Sequence, residues 1–202
     1  MPRAASIRDL LLPALAAAAA TRAQPVIYDE NSQGDLSNDR FHPTPLTLPI
    51  GEGLLLGALD GDVGGSIDRD YYTITIPQGY ALSQIILQQY FSNDPVAFIA
   101  IQPGSIFPND PATVQPGDLM GWLHFGPEDL GLDLLSLMGA NGQGFTPPIG
   151  PGPFSFWTQQ TGEPTTYVMD FVVAAPAPAT LPLLLSAATP LLRRKRRAAV
   201  RL

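Results

Sequence analysis

Between positions 50 and 175, apolar side chains recur at every second residue in short runs, and clusters of turn-forming residues separate those runs. Tyr72, Ile74 and Ile76 would share one face of an extended chain, with Tyr71, Thr73 and Thr75 on the other, and Pro77-Gln78-Gly79 ends the run. Tyr167, Met169, Phe171 and Val173 alternate in the same way with Val168, Asp170 and Val172, as do Phe154 and Phe156 with Ser155 and Trp157. A repeat of two is the period of a strand, not of a helix. Apolar runs at 53–59, 82–90, 96–101 and 119–125 add four further strands, divided by clusters such as Ser92-Asn93-Asp94-Pro95 and Pro108-Asn109-Asp110-Pro111. The pattern predicts an all-β domain, a β-sandwich or jelly roll of about seven to nine short antiparallel strands.

One window has helical spacing instead. Leu130, Leu134, Leu137 and Met138 fall on one helix face, Glu128 and Asp129 precede them, and Gly139 follows as a stop signal. Gly131 weakens that helix by about 1 kcal/mol relative to alanine. One short helix packed on an edge or end of the sandwich is expected.

Charge is partitioned sharply along the chain. Nine of the 11 basic residues lie in the first 22 or the last 10 positions of 202, so only Arg40 and Arg69 face 17 acidic residues in between. A domain with a formal charge near −15 lacks the clustered cations that phosphate backbones require, which excludes nucleic acid as a partner. Cations, or neutral ligands such as sugars, suit it better. The absence of cysteine excludes a disulfide framework, a thiolate metal site and a cysteine nucleophile.

Both termini read as addresses. Arg3 and Arg8 precede an apolar stretch at 10–20, too short to span a bilayer and followed by small residues, the pattern of a signal peptide over 1–23. A buried Ala-rich helix is the other reading, which the Pro-interrupted run at the start of the chain disfavours. At the far end, a Pro/Ala linker containing Pro176 and Pro178 leads into an apolar stretch at 181–192. Arg193, Arg194, Lys195, Arg196 and Arg197 follow, a cluster that would hold the far side in the cytoplasm. A nuclear-localisation or nucleic-acid patch is the alternative for such a run; the apolar neighbour and the signal peptide favour a membrane. The chain thus divides into a signal helix (1–23), a β domain (24–175) and a hydrophobic sorting helix with a basic tail (176–202).

The tail resembles the PEP-CTERM sorting signal, although Ala177 stands where that family usually carries Glu. The resemblance implies recognition and cleavage by an exosortase-like membrane protease after signal peptidase has acted. It also implies transient inner-membrane anchoring, then a place at the cell surface, in the outer envelope or outside the cell, in the setting of extracellular polysaccharide. Within the domain, Asp68-Arg69-Asp70-Tyr71-Tyr72-Thr73-Ile74-Thr75-Ile76-Pro77-Gln78-Gly79, with Leu82 and Ile85-Ile86-Leu87, resembles the core of the bacterial pre-peptidase C-terminal domain. Gly152-Pro153-Phe154-Ser155-Phe156-Trp157 and Thr166-Tyr167-Val168-Met169-Asp170-Phe171 fit that family's last two strands. The resemblance implies a small, non-catalytic β-sandwich, in some members with calcium near such acidic residues.

Four carboxylates, Asp60, Asp62, Asp68 and Asp70, fall within eleven residues around Val63-Gly64-Gly65-Ser66 and could fold round a hard cation such as calcium. The other reading is turn chemistry, in which Asp side chains bond their own loops. Catalytic motifs are sparse. His42 and His124 are the only histidines; no nucleophile elbow accompanies Ser105, and no His-x-x-x-His spacing marks a zinc site. Glu128, Asp129 and His124 are the first residues to test for a hydrolase. Tyr71, Tyr80, Tyr90, Phe91, Trp122, Trp157 and Tyr167 could include a stacking platform for sugars or could fill a sandwich core. The expectation is an exported, non-catalytic cell-surface or matrix-associated protein. The alternatives are a calcium-stabilised carbohydrate- or protein-binding module and a secreted hydrolase of unrecognised type.

Overall fold

The computed structural model describes residues 23–176; all of the expected signal segment but Ala23, and most of the expected sorting segment from Pro178 through Arg193 to Arg197, lie outside them. The strands are β1 (Val26–Asp29), β2 (Thr44–Leu46), β3 (Gly51–Leu59), β4 (Asp62–Val63), β5 (Ser66–Ile67) and β6 (Arg69–Ile76). They continue with β7 (Ala81–Phe91), β8 (Ala97–Pro103), β9 (Gly121–Phe125), β10 (Gly152–Gln159) and β11 (Thr165–Ala174). Two short helices, α1 (Glu30–Gln33) and α2 (Leu134–Gly139), complete the set.

The strands form a β-sandwich. One sheet has the order β1-β3-β11-β7 and the other β2-β6-β10-β8-β9, with β4 and β5 as a separate hairpin. Each of the seven alternating or apolar runs is a strand, and the central pairings are antiparallel. The expectation of about seven to nine antiparallel strands is corrected on two counts: the described residues hold eleven, and two edge pairings, β1 with β3 and β2 with β6, are parallel. Of the extra strands, β4 and β5 form a two-residue hairpin, and β1 and β2 are short edge strands that bury few side chains. Pro45 within β2 is tolerated because an edge leaves one row of backbone groups unpaired.

Inward-facing residues of both sheets make the main core. Tyr72 stacks on Phe156 at 5.2 Å, and Phe171 from the opposite sheet meets the two rings edge-on at 6.2 and 5.8 Å. A second cluster lies outside the five-stranded sheet, where Phe107 and Leu119 from the 104–120 loop cover Tyr71, Ala100 and Trp157.

The helix is shorter than its spacing predicts. Gly131 takes a left-handed φ of 78°, and the backbone of Gly131 and Leu132 bonds Leu87 at the edge of β7, so the chain runs beside the strand there. Only after Asp133, whose carboxylate accepts from Leu135 N, does α2 begin.

The described chain starts and stops at one end of the sandwich. Residues 23–25 and 172–174 line a common hollow, and Gln24 Nε2 donates to Asp170 Oδ2 at 2.7 Å. At the opposite end lie the close of β3 and β10 and the start of β6 and β11.

Candidate functional site

The sheet ends remote from the termini carry a cluster of carboxylates. β1 runs beside β3 and turns directly into α1, because the Asp29 carboxylate accepts from Asn31 N at 3.0 Å and caps the turn. That turn lays Glu30 over the end of β3, where its Oε1 accepts from Leu36 N at 2.6 Å and its Oε2 from Ala58 N. Gly34, at φ 92°, then bends the chain so that Asp35 stands beside Glu30.

Asp70 reaches the same place from the other sheet. Alternation along β6 puts it on the inner face with Tyr72 and Ile74, where it is fully buried. Its Oδ2 accepts from the Tyr167 hydroxyl at 2.6 Å, while its Oδ1 has no hydrogen-bond partner. One oxygen from each of Glu30, Asp35 and Asp70 lies within 4.8 Å of the others. Calcium binds oxygens at about 2.3–2.6 Å, so oxygens on opposite sides of one ion are roughly 5 Å apart, and the triad fits a single ion. Glu30 and Asp35 also line an open cavity of about 240 Å³ with Asn31, Ala58, Asp60 and Asp68, and the buried Asp70 is not part of that lining.

The charges here lack a basic partner. Arg40 donates to the carbonyls of Phe107 and Pro108, and Arg69 to Gln159 and the Ile67 carbonyl. Among the described residues the one ion-pair contact is His42 with Asp39, in an exposed turn. Uncompensated carboxylates hold protons more tightly. Burial, reinforced by the Asp35 charge, pushes Glu30 up to about 7 although the Leu36 and Ala58 amides pull it down. Burial and the Glu30 charge raise Asp70 well above the usual carboxylate range, against the pull of the Tyr167 hydroxyl. Asp35 is also raised, by partial burial and then by Asp68. Such a site takes either protons or a hard cation.

The four carboxylates singled out from the sequence separate here. Asp70 is a member of the triad, and Asp60 and Asp68 stand at its rim. Asp68 is engaged as a loop carboxylate, accepting from Asp60 N at 2.8 Å and from Asn38 Nδ2 at 3.0 Å. Asp62 serves the β4–β5 hairpin, accepting from Gly65 N at 2.8 Å. Glu30 and Asp35 were missed by sequence reasoning. Their only sequence signal is the acidic content of 29–35, in a stretch with no alternation to place it.

The hydrolase candidates do not assemble into a comparable site. His124 sits on the outward face of β9 between the rings of Phe98 and Trp122. Asp129 closes a single 3₁₀ turn by accepting from Gly126 N, Glu128 is exposed beside it, and Ser105 is in an exposed turn. Of the aromatic residues, Tyr71, Tyr90, Trp157 and Tyr167 are buried, whereas Trp122 is half-buried and Phe91 exposed. No helix among the described residues is long and apolar enough to cross a membrane. No protein-family model, curated protein or solved structure matches this chain.

Proposed function

We propose that the chain is an exported, non-catalytic surface or matrix module whose sandwich is stabilised by a hard divalent cation, calcium in first place. The observation that carries the cation is the convergence of Glu30, Asp35 and Asp70, one of whose buried oxygens, Asp70 Oδ1, has no hydrogen-bond partner. Leaving such a group unsatisfied costs about 1–3 kcal/mol, and more when it is charged, so a bound ion offsets a specific penalty. The Asp70 side chain is fully buried, out of reach of a substrate in solution. That favours a structural centre over a catalytic one.

The export reading is supported by the partition of charge: an apolar, basic-flanked segment at each end and a strongly acidic domain between them. The described domain begins and ends at one end of the sandwich. Held by its C-terminal segment, it would turn the acidic cavity away from the bilayer. Calcium is scarce in the cytoplasm and plentiful outside, so the ion would act after export.

Two measurements test the reading. The purified full chain should melt several degrees higher in calcium than in EDTA near neutral pH, since about 1 kcal/mol moves a domain of this size by roughly 2–4 °C. An unchanged melt would remove the cation. Fractionation of expressing cells should find the full chain membrane-bound or processed and a version ending at Ala175 released; a soluble, unprocessed full chain in the cytosol would remove the export reading.

A further inference from the structure

We propose that the outer face of the five-stranded sheet carries a binding groove for a neutral saccharide chain. The groove shares no residue with the cation cavity. Strand alternation builds it: β10, β8 and β9 turn Trp157, Ala100 and Trp122 outward in one row, and Gln159, Phe98 and His124 in the next. The 104–120 loop covers the first part of this surface, with Phe107 and Leu119 packed on Trp157, and its residues 114–116 line the part where Phe98, Trp122 and His124 are only partly covered. That part is a hollow of about 250 Å³, which continues past Phe98 and His124 into a second of about 100 Å³ bordered by Gln160 and Thr161. That is the scale of a small-ligand site.

Three features define what fits. Phe98 and Trp122 lie near-parallel, 6.3 Å apart at 22°, and both are only partly buried, so flat apolar ring faces are on offer. The polar side chains open at the groove are neutral: Gln115, His124 and Thr161 are exposed and Gln159 is half-buried. Finally, neither hollow is lined by Asp, Glu, Lys or Arg.

A partner must therefore bring flat C–H faces and several acceptors without charge. Pyranose units do both: the ring C–H faces lie on aromatic rings, and hydroxyl and ring oxygens accept from N–H groups. A hydrocarbon would cover the open Gln159 and Thr161 side chains without bonding them. A polyanionic chain brings acceptors but meets a domain with 17 acidic residues and two arginines.

The protein reports on this site directly, because Trp122 and Trp157 are its only two tryptophans. The purified full chain is titrated with cello-, laminari-, xylo- and manno-oligosaccharides and with an alginate oligomer, following tryptophan emission and isothermal heat. A saturable shift with at least one neutral oligosaccharide is expected. Trp122→Ala should weaken binding at least about tenfold while the variant still melts cooperatively, and Phe98→Ala should weaken it as well. Glu30→Gln should leave it intact, so loss of the cation site and loss of the groove read out separately. No shift with any neutral oligosaccharide at millimolar concentration, binding that survives both groove substitutions, or binding to alginate alone would each overturn the proposal.

Discussion

Gly57 carries no side chain because the Tyr167 ring fills the space one would occupy. That close approach lets Tyr167 lie across β3 and aim its hydroxyl at Asp70. Gly57→Ala should destabilise the full chain by about 1–3 kcal/mol, the usual range for overpacking a core, and should blunt its response to calcium; unchanged urea midpoints would refute this. Protons should compete with the cation at the neighbouring carboxylates. Without metal, Glu30 holds its proton up to about 7 in the folded chain but only to 4.5 as an ordinary glutamate. In that window the folded state binds more protons than the unfolded one, so metal-free stability should fall as pH rises through it. Asp70, raised in the same direction, adds to the effect. Calcium needs the ionised carboxylates, so the gap between melts in calcium and in EDTA should widen from about pH 5 to about pH 7.5. A gap that is constant or shrinks over that range would contradict the assignment. Asp70→Asn should close it.

At the scale of elements, the long strands of the antiparallel pairings were legible and the short β1, β2, β4 and β5 were not. β6 and β11 pack on both sides, so their alternation is enforced by the core and visible in the residues. β1 and β2 touch one neighbour each and hold few buried side chains. The helix shows a related limit. Spacing identified its apolar face, but the backbone bonds between Leu87 and the 131–132 segment, which are tertiary, decided where it starts. Asp133 joins the two elements, since its Oδ1 accepts from Leu135 N at 3.1 Å and from Ile85 N in β7 at 3.0 Å. Asp133→Ala should therefore cost more than the roughly 1 kcal/mol of a lost N-cap, and Asp133→Asn should restore most of it. Equal stability of the alanine variant and the parent in a denaturant series would show the link to be idle.

Across the whole molecule, the candidate metal centre joins pieces distant along the chain: Glu30 and Asp35 from the N-terminal segment and Asp70 from β6. A cation there should clamp that segment onto the sandwich. Hydrogen exchange of the full chain should show amides in 26–37 slowed by calcium while those in β10 and β11 are unaffected; equal protection with and without the ion would argue against a clamp. Several properties follow from local order alone: the strand class, the acidic charge of the domain, the apolar and basic ends, and the lack of thiol chemistry. Each depends on residue type and on period, and both are properties of neighbours. Which carboxylates meet, and which aromatic rings stay uncovered, depends instead on strand pairing across the chain. Asp62 and Asp70 are equally plausible ligands by spacing, yet a hairpin turn claims the first and the inner face of β6 presents the second to Glu30 and Asp35. Packing of the two sheets made that choice, because burial leaves one carboxylate oxygen without a partner where solvent would have supplied one.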